Sequence, residues 1–294
     1  MVTPRDASTV MLVRDEPDLH VFMLRRHLNA DFVGGAYVFP GGGVDAQDRD
    51  PEVLARCVGL DDVTASRTVG VASGGLGFWV AAVRETFEEA GVLLARDALT
   101  GRPVDPSDPG RAARLGYHRA AMARRERSFV DVLGAEDLLI DTGALHLFAH
   151  WITPAGAPRR YDTWFFVTEA PPGHTYLHDD AETVASEWVR PADALARAER
   201  GELEIIFPTM RNLQAIGRFE RSSYLLDAAR VASGSGADGI PTVLPRIVRD
   251  ASGARIVLPG DPGYDETPDL PDGAFDPIAV ADAARATTPG EGAA

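Results

Sequence analysis

The chain has 294 residues, 45% of them apolar and 25% charged, with a formal net charge of −15. That length holds one large or two modest domains around a buried core, and the acidic balance excludes a general nucleic-acid binder, which needs a basic surface. Its single cysteine, Cys57, excludes an intrachain disulfide and a cysteine-built metal cluster, and reads as a packing residue.

From the N-terminus, residues 8–14 (STVMLVR) and 20–26 (HVFMLRR) are β-rich apolar runs flanking Asp15-Glu16-Pro17-Asp18, which predicts a hairpin. The second run ends in Arg25, Arg26 and His27, a candidate contact for an anionic substrate or an ordinary charged strand end. Residues 36–39 predict a short strand leading into Gly41, Gly42 and Gly43, where the backbone can approach a ligand or aim carbonyls at a metal. Residues 46–77 contain a short helix from Pro51 with Asp50 as its N-cap, then loop, and show no catalytic constellation of their own.

The run FWVAAVRETFEEAGVLLA follows. At 3.6 residues per turn, Glu85, Glu88 and Glu89 share one helix face, while Val80, Val83, Phe87 and Ala90 form an apolar stripe on another. Three crowded carboxylates repel one another, and hard divalent ions such as Mg²⁺ or Mn²⁺ relieve that repulsion through oxygen ligands. The plainer alternative is a solvated face with Arg84 paired to Glu88.

Beyond the helix, residues 97–110 predict loop and 111–134 one amphipathic helix, whose basic run Arg124-Arg125-Glu126-Arg127 reads better as a solvated face than as a phosphate contact. Residues 144–152 and 160–168 predict paired antiparallel strands, with Arg159 and Arg160 in the connection as another possible anion contact. His146 and His150 lack an identifiable third ligand and read as structural. Residues 176–189 predict an acidic loop running into a strand at Glu187-Trp188-Val189. Helices are expected from Pro191, over 207–219 and over 222–232, followed by a flexible Gly-Ser link and a hairpin around residues 250–253. That hairpin has no obvious place in a completed core and suggests a homodimer contact, and residues 265–294 read as a tail.

Gly42 together with Arg84, Glu85, Glu88, Glu89, Gly91 and Val92 resembles the signature of the Nudix hydrolase superfamily: Gly, five residues, Glu, seven residues, then Arg-Glu-apolar-any-Glu-Glu-any-Gly-apolar. Thr86 stands where the signature has an apolar residue, and 41 residues rather than 13 separate Gly42 from Arg84, which leaves the signature's first Glu unplaced. One branch of the superfamily, resembling the peroxisomal coenzyme A diphosphatase of animals, carries such an insertion. The similarity extends through VFMLRRHLNADFVGGAYVFPGGGVD, ALHLFAHWITP and FPTMRNL.

The resemblance implies an α/β Nudix fold, a mixed sheet between helices, in a domain over 1–220 with insertions at 46–77 and 97–143. A C-terminal extension over 221–264 and the tail over 265–294 would follow. It implies a diphosphatase acting on a nucleoside diphosphate joined to another moiety, coenzyme A or acyl-coenzyme A first, with ADP-ribose or NADH as the alternative substrates and a non-catalytic nucleotide-binding module as the alternative class. It assigns the metal to Glu85, Glu88, Glu89 and the Gly42 carbonyl, with Glu182 carried over as a further acid and Asp180 or Glu187 as its alternatives. Arg84 is assigned to orienting the glutamates, and Arg25, Arg26, Gly41, Gly42, Gly43, Arg159 and Arg160 to the substrate. With no apolar run near the ~18 residues of a membrane span, no signal-peptide core in MVTPRDAST and no peroxisomal address at the C-terminus, the sequence predicts a cytoplasmic protein.

Overall fold

In a computed structural model, which describes residues 2–28, 34–176, 178–179, 182–250 and 253–274, the chain is built on an eight-stranded mixed sheet. Strands β1 (Arg5–Asp15) and β2 (Leu19–Arg26) form the expected hairpin; β3 (Tyr37–Val38) pairs with β2, and β4 (Gly41–Gly43) with β1. The first insertion holds α1 (Pro51–Leu54), β5 (Cys57–Val58) and α2 (Asp62–Val69), and it ends inside α3 (Leu76–Ala90), the helix bearing the glutamates. The second begins at the end of β6 (Ala95–Asp97) and holds α4 (Pro109–Ala123), α5 (Phe129–Ala135) and β7 (Leu138–Asp141). Strands β8 (His146–Ile152) and β9 (Tyr161–Glu169) extend the sheet on one side of β1, and β10 (Thr183–Val189) forms its edge beside β2. Helices α6 (Pro191–Glu199), α7 (Phe207–Ile216) and α8 (Ser222–Gly234) precede β11 (Thr242–Val243) and the hairpin β12 (Arg246–Asp250) and β13 (Gly253–Val257). The order across the sheet is β10-β2-β1-β9-β8-β11, with β1–β9 and β8–β11 parallel.

Side-chain alternation along the central strands builds two cores. Val10, Leu12, Phe22, Leu24, Trp164 and Phe166 face α3, whose Val80, Val83 and Phe87 are buried among them. Met11, Val13, Val21, Met23, Phe165 and Val167 face the opposite layer, where Leu213, Ile216 and Leu225 close the core. This is the α/β arrangement, a mixed sheet between helices, that the sequence resemblance implies.

The departures from the sequence reading have local causes. The helix expected over 111–134 is two, because the chain turns at Arg125 and restarts at Ser128, which caps α5 in a reciprocal box with Asp131. Strands β5, β7 and β6 form a second small sheet joining the two insertions, in pieces too short to show a period. The C-terminal hairpin finds its place within the same chain: Ile247 and Val257 are buried, the former against Ala157. Residues 265–274, expected to begin a tail, are held there by Arg246, whose Nη1 donates to the Tyr264 and Thr267 carbonyls at 2.9 and 3.0 Å. Residues 275–294 lie outside the described part. Among the described residues no helix is long and apolar enough to cross a membrane.

Candidate active site

Helix α3 ends where Gly91 adopts φ +69 and its N–H donates to the Phe87 carbonyl, a left-handed cap that suits glycine. Upstream on the same helix, Thr86 satisfies its buried hydroxyl by donating to the Ala82 carbonyl at 2.7 Å, which explains how a polar residue fits an apolar position.

Arg84 is 2% exposed and every arm of its guanidinium is engaged. Nε and Nη2 donate to the two Asp48 carboxylate oxygens at 2.8 Å each, Nη2 also to the Gly43 carbonyl at 2.8 Å, and Nη1 to Glu85 Oε1 at 2.7 Å. Burial opposes the charge, but the Asp48 hydrogen bonds and the Glu85 carboxylate outweigh it and raise the Arg84 pKa. Asp48, itself 1% exposed, sits in a short 3-10 turn and accepts the Asp45 N–H at 2.8 Å. It follows Gly42 by five intervening residues, the position of the first acid in the signature. An aspartate there hid it from a search for glutamate.

The three glutamates stand in graded burial. Glu89 is 4% exposed and accepts the Gly41 N–H at 2.9 Å; its pKa is raised well above the usual range by burial and then by the Glu85 charge, against the Gly41 bond and Arg26. Burial pushes Glu85 up to about 7 despite Arg84, and it raises Glu88 as well. Glu182 repels both Glu88 and Glu89. Among the described residues no three acids or histidines already converge as a closed cage. The donor set nevertheless fits a divalent cation: hard oxygens, desolvated and mutually repelling, are what such an ion would compensate.

Arg119, on α4, fixes this face from behind. Its Nε donates to the Glu88 carbonyl and its Nη2 to the Glu89 carbonyl, both at 2.8 Å, so the second insertion braces the C-terminal end of the helix. Nothing in the local sequence marks Arg119, because its role depends on a contact across 30 residues.

Arg84 and the three glutamates border a cavity of about 680 Å³. One hydrogen-bonded row crosses its floor from Gly43 through Ala7 and Thr163 to Trp151, about 14 Å at ordinary strand spacing. Beyond Trp151 the wall becomes apolar, formed by Ile206, Phe207 and Pro208 together with Pro245 and Ile256 at the C-terminal hairpin.

Of the expected site residues, Gly41, Gly42, Gly43, Arg84, Glu85, Glu88, Glu89, Glu182 and Arg26 all line this cavity. The other arginines need correction. Arg25 follows its neighbour onto the opposite face of β2 and donates to the Gly35 carbonyl at 3.4 Å, away from the cavity. Arg160 is buried and consumed by the Thr153 and Val2 carbonyls, each at 2.9 Å, so it is a structural brace; Arg159 beside it is exposed and also outside the lining. Glu187 pairs with Arg197 on the outside, and Asp180 lies outside the described residues. His150 stacks on Trp164 at 3.9 Å and bonds Thr242, in keeping with a structural role.

Two expected outcomes follow from this geometry. A Cβ on Gly42 would lie 2.6 Å from the Glu85 carboxylate, so Gly42→Ala displaces that side chain; turnover should fall about tenfold or more while thermal melting barely changes. The second concerns pH. Between the ordinary 4.5 and about 7, Glu85 holds a proton in the folded state that the unfolded chain has released, so stability of the metal-free protein falls as pH rises through that window. A bound cation replaces the proton, and Mg²⁺ should therefore raise the melting temperature more at about pH 8 than at about pH 5.5. An equal gain at both would remove Glu85 from the metal set.

The family model described as the NUDT19 Nudix domain matches residues 61–216, more than half of the chain. The chain belongs to the NUDT19 Nudix family. It is a Nudix hydrolase, and Nudix hydrolases generally use divalent metal ions. Among its relatives are the acyl-coenzyme A diphosphatase NUDT19 of Gallus gallus, 31% identical over 90% of this chain and 81% of that protein, and its Homo sapiens counterpart, 31% identical over 85% and 73%. A solved Nudix hydrolase from Alicyclobacillus acidocaldarius superposes with a TM-score of 0.60 at 29% identity, covering 77% of this chain and 97% of that one. The expectation of a Nudix fold and of the insertion-bearing branch is borne out by these likenesses.

Proposed function

We propose that the protein hydrolyses the diphosphate of coenzyme A or an acyl-coenzyme A, with Mg²⁺ or Mn²⁺ held by Glu85, Glu88 and Glu89, the Gly42 carbonyl and Glu182. The observation that carries the reading is the joining of two unlike surfaces in one cavity, a buried carboxylate face and an apolar wall reached along the Gly43 to Trp151 row. The first suits a diphosphate and the second the non-nucleotide arm attached to it, and the relatives named acyl-coenzyme A diphosphatase agree with that substrate.

In hydrolysis, water adds to one phosphorus, the bridging P–O bond breaks, and two phosphate monoesters leave. Bound divalent ions supply neutralisation of the diphosphate charge and a more acidic attacking water. The chain's own residues do the positioning. Arg84, locked by Asp48, holds Glu85 in place; the Gly41 N–H holds Glu89; and Arg26, whose buried Nε has no hydrogen-bond partner among the described residues, is left to donate to a phosphate oxygen.

The test is mass spectrometry of the products from coenzyme A, ADP-ribose and NADH with each metal. Coenzyme A should yield adenosine 3′,5′-bisphosphate and 4′-phosphopantetheine fastest. Faster cleavage of ADP-ribose or NADH would transfer the enzyme to those substrates, and binding of all three without cleavage would make it a non-catalytic module.

A further inference from the structure

We infer that Arg125 reads a second phosphate on the substrate, a phosphomonoester apart from the diphosphate that is cut. The inference rests on the coenzyme A reading and extends it to the group that separates coenzyme A from its dephosphorylated form.

The basic run at 124–127 divides in the structure. Arg124 is spent on Glu126, with Nε and Nη2 donating at 3.0 and 2.9 Å. Arg127 meets the His118 ring at 2.7 Å. Arg125 alone of the three lines the cavity, beside Met122 and Ala123, and among the described residues its guanidinium has no hydrogen-bond or ion-pair partner.

The backbone explains how an exposed arginine of the outer run comes to border the cavity. Helix α4 closes with Arg125 at φ +58, its N–H donating to the Met122 carbonyl at 2.8 Å while the Glu126 N–H reaches back to the Ala121 carbonyl at 2.9 Å. The 6→1 closure requires a left-handed residue at this cap position, which favours glycine, and the arginine there holds a conformation that is disfavoured for its side chain.

The cavity has two other arginines, and both belong to the carboxylate face. Arg84 is fully engaged by Asp48, Gly43 and Glu85. Arg26 acts electrostatically on Glu89. Arg125 is thus an uncommitted fork on the part of the cavity wall supplied by the end of α4. Its planar donors match the oxygens of a terminal phosphate dianion, which makes more bidentate contacts than a diester does.

The experiment compares kcat/KM for coenzyme A and dephospho-coenzyme A in the wild type, Arg125→Gly and Arg125→Lys. Glycine should relieve the left-handed turn, so melting temperature holds or rises. The preference for coenzyme A should collapse at least tenfold toward equality in Arg125→Gly, carried by KM with kcat little changed, and Arg125→Lys should retain part of it. Loss on both substrates by the same factor, or no change in their ratio, overturns the assignment. A wild type that cleaves neither compound overturns the coenzyme A reading itself, an outcome the wild-type arm shows before any variant is made.

Discussion

Glu88→Gln and Glu89→Gln should each lower turnover at saturating Mg²⁺ by roughly a hundredfold or more, because on the proposed assignment each removes a ligand from an ion that stabilises several kcal/mol of transition-state charge. The metal-free fold should not suffer. Glu89 resists ionisation through burial and the Glu85 charge, and a glutamine oxygen can still accept the Gly41 N–H, so the substitution relieves repulsion while preserving the bond. Melting without metal should therefore stay level or rise, while the gain on adding Mg²⁺ shrinks. Steady-state kinetics beside paired melts reads both effects. Near-wild-type turnover in the two variants would remove these carboxylates from the metal set.

Much of the fold was legible because its elements are long. Alternating apolar residues in β1 and β2 and the 3.6-residue stripe of α3 each exceed one period, so the sequence specifies which face is buried. The site was legible where one helix carries it, since Glu85, Glu88 and Glu89 owe their proximity to spacing alone. What escaped depends on contacts across the chain. Asp48 is 36 positions from the arginine it clamps, and Arg119 braces α3 from an insertion. Which arginine borders the cavity also turns on detail that composition does not hold: a single step along β2 separates Arg26 from Arg25, and a left-handed turn sets the exposed Arg125 on the cavity wall. Ser128 and Asp131 did carry a capping signal for a second helix, masked by the apolar period that runs on through Phe129 and Leu133.

The largest expected loss of stability follows from Asp48. Asp48→Ala leaves the Arg84 guanidinium buried with two of its donors stripped of a carboxylate, and breaking one side of such a pair costs about 3–5 kcal/mol. The same change removes the acceptor for the Asp45 N–H and unseats the turn that leads into the first insertion. Activity should fall as well, because Arg84 is then free to swing toward Glu85 and Glu88, to which it already reaches at 2.7 and 3.7 Å. Asp48→Glu restores the charge at the position where the Nudix signature has glutamate and should recover much of both. A double-mutant cycle separates the pair from the rest of the site: with Arg84→Ala also present no buried charge is stranded, so the double variant should lose less stability than the two single losses added together. Chemical denaturation of the four proteins measures the difference. Strict additivity would mean that Asp48 and Arg84 contribute independently, and that the glutamates are oriented by something other than this clamp.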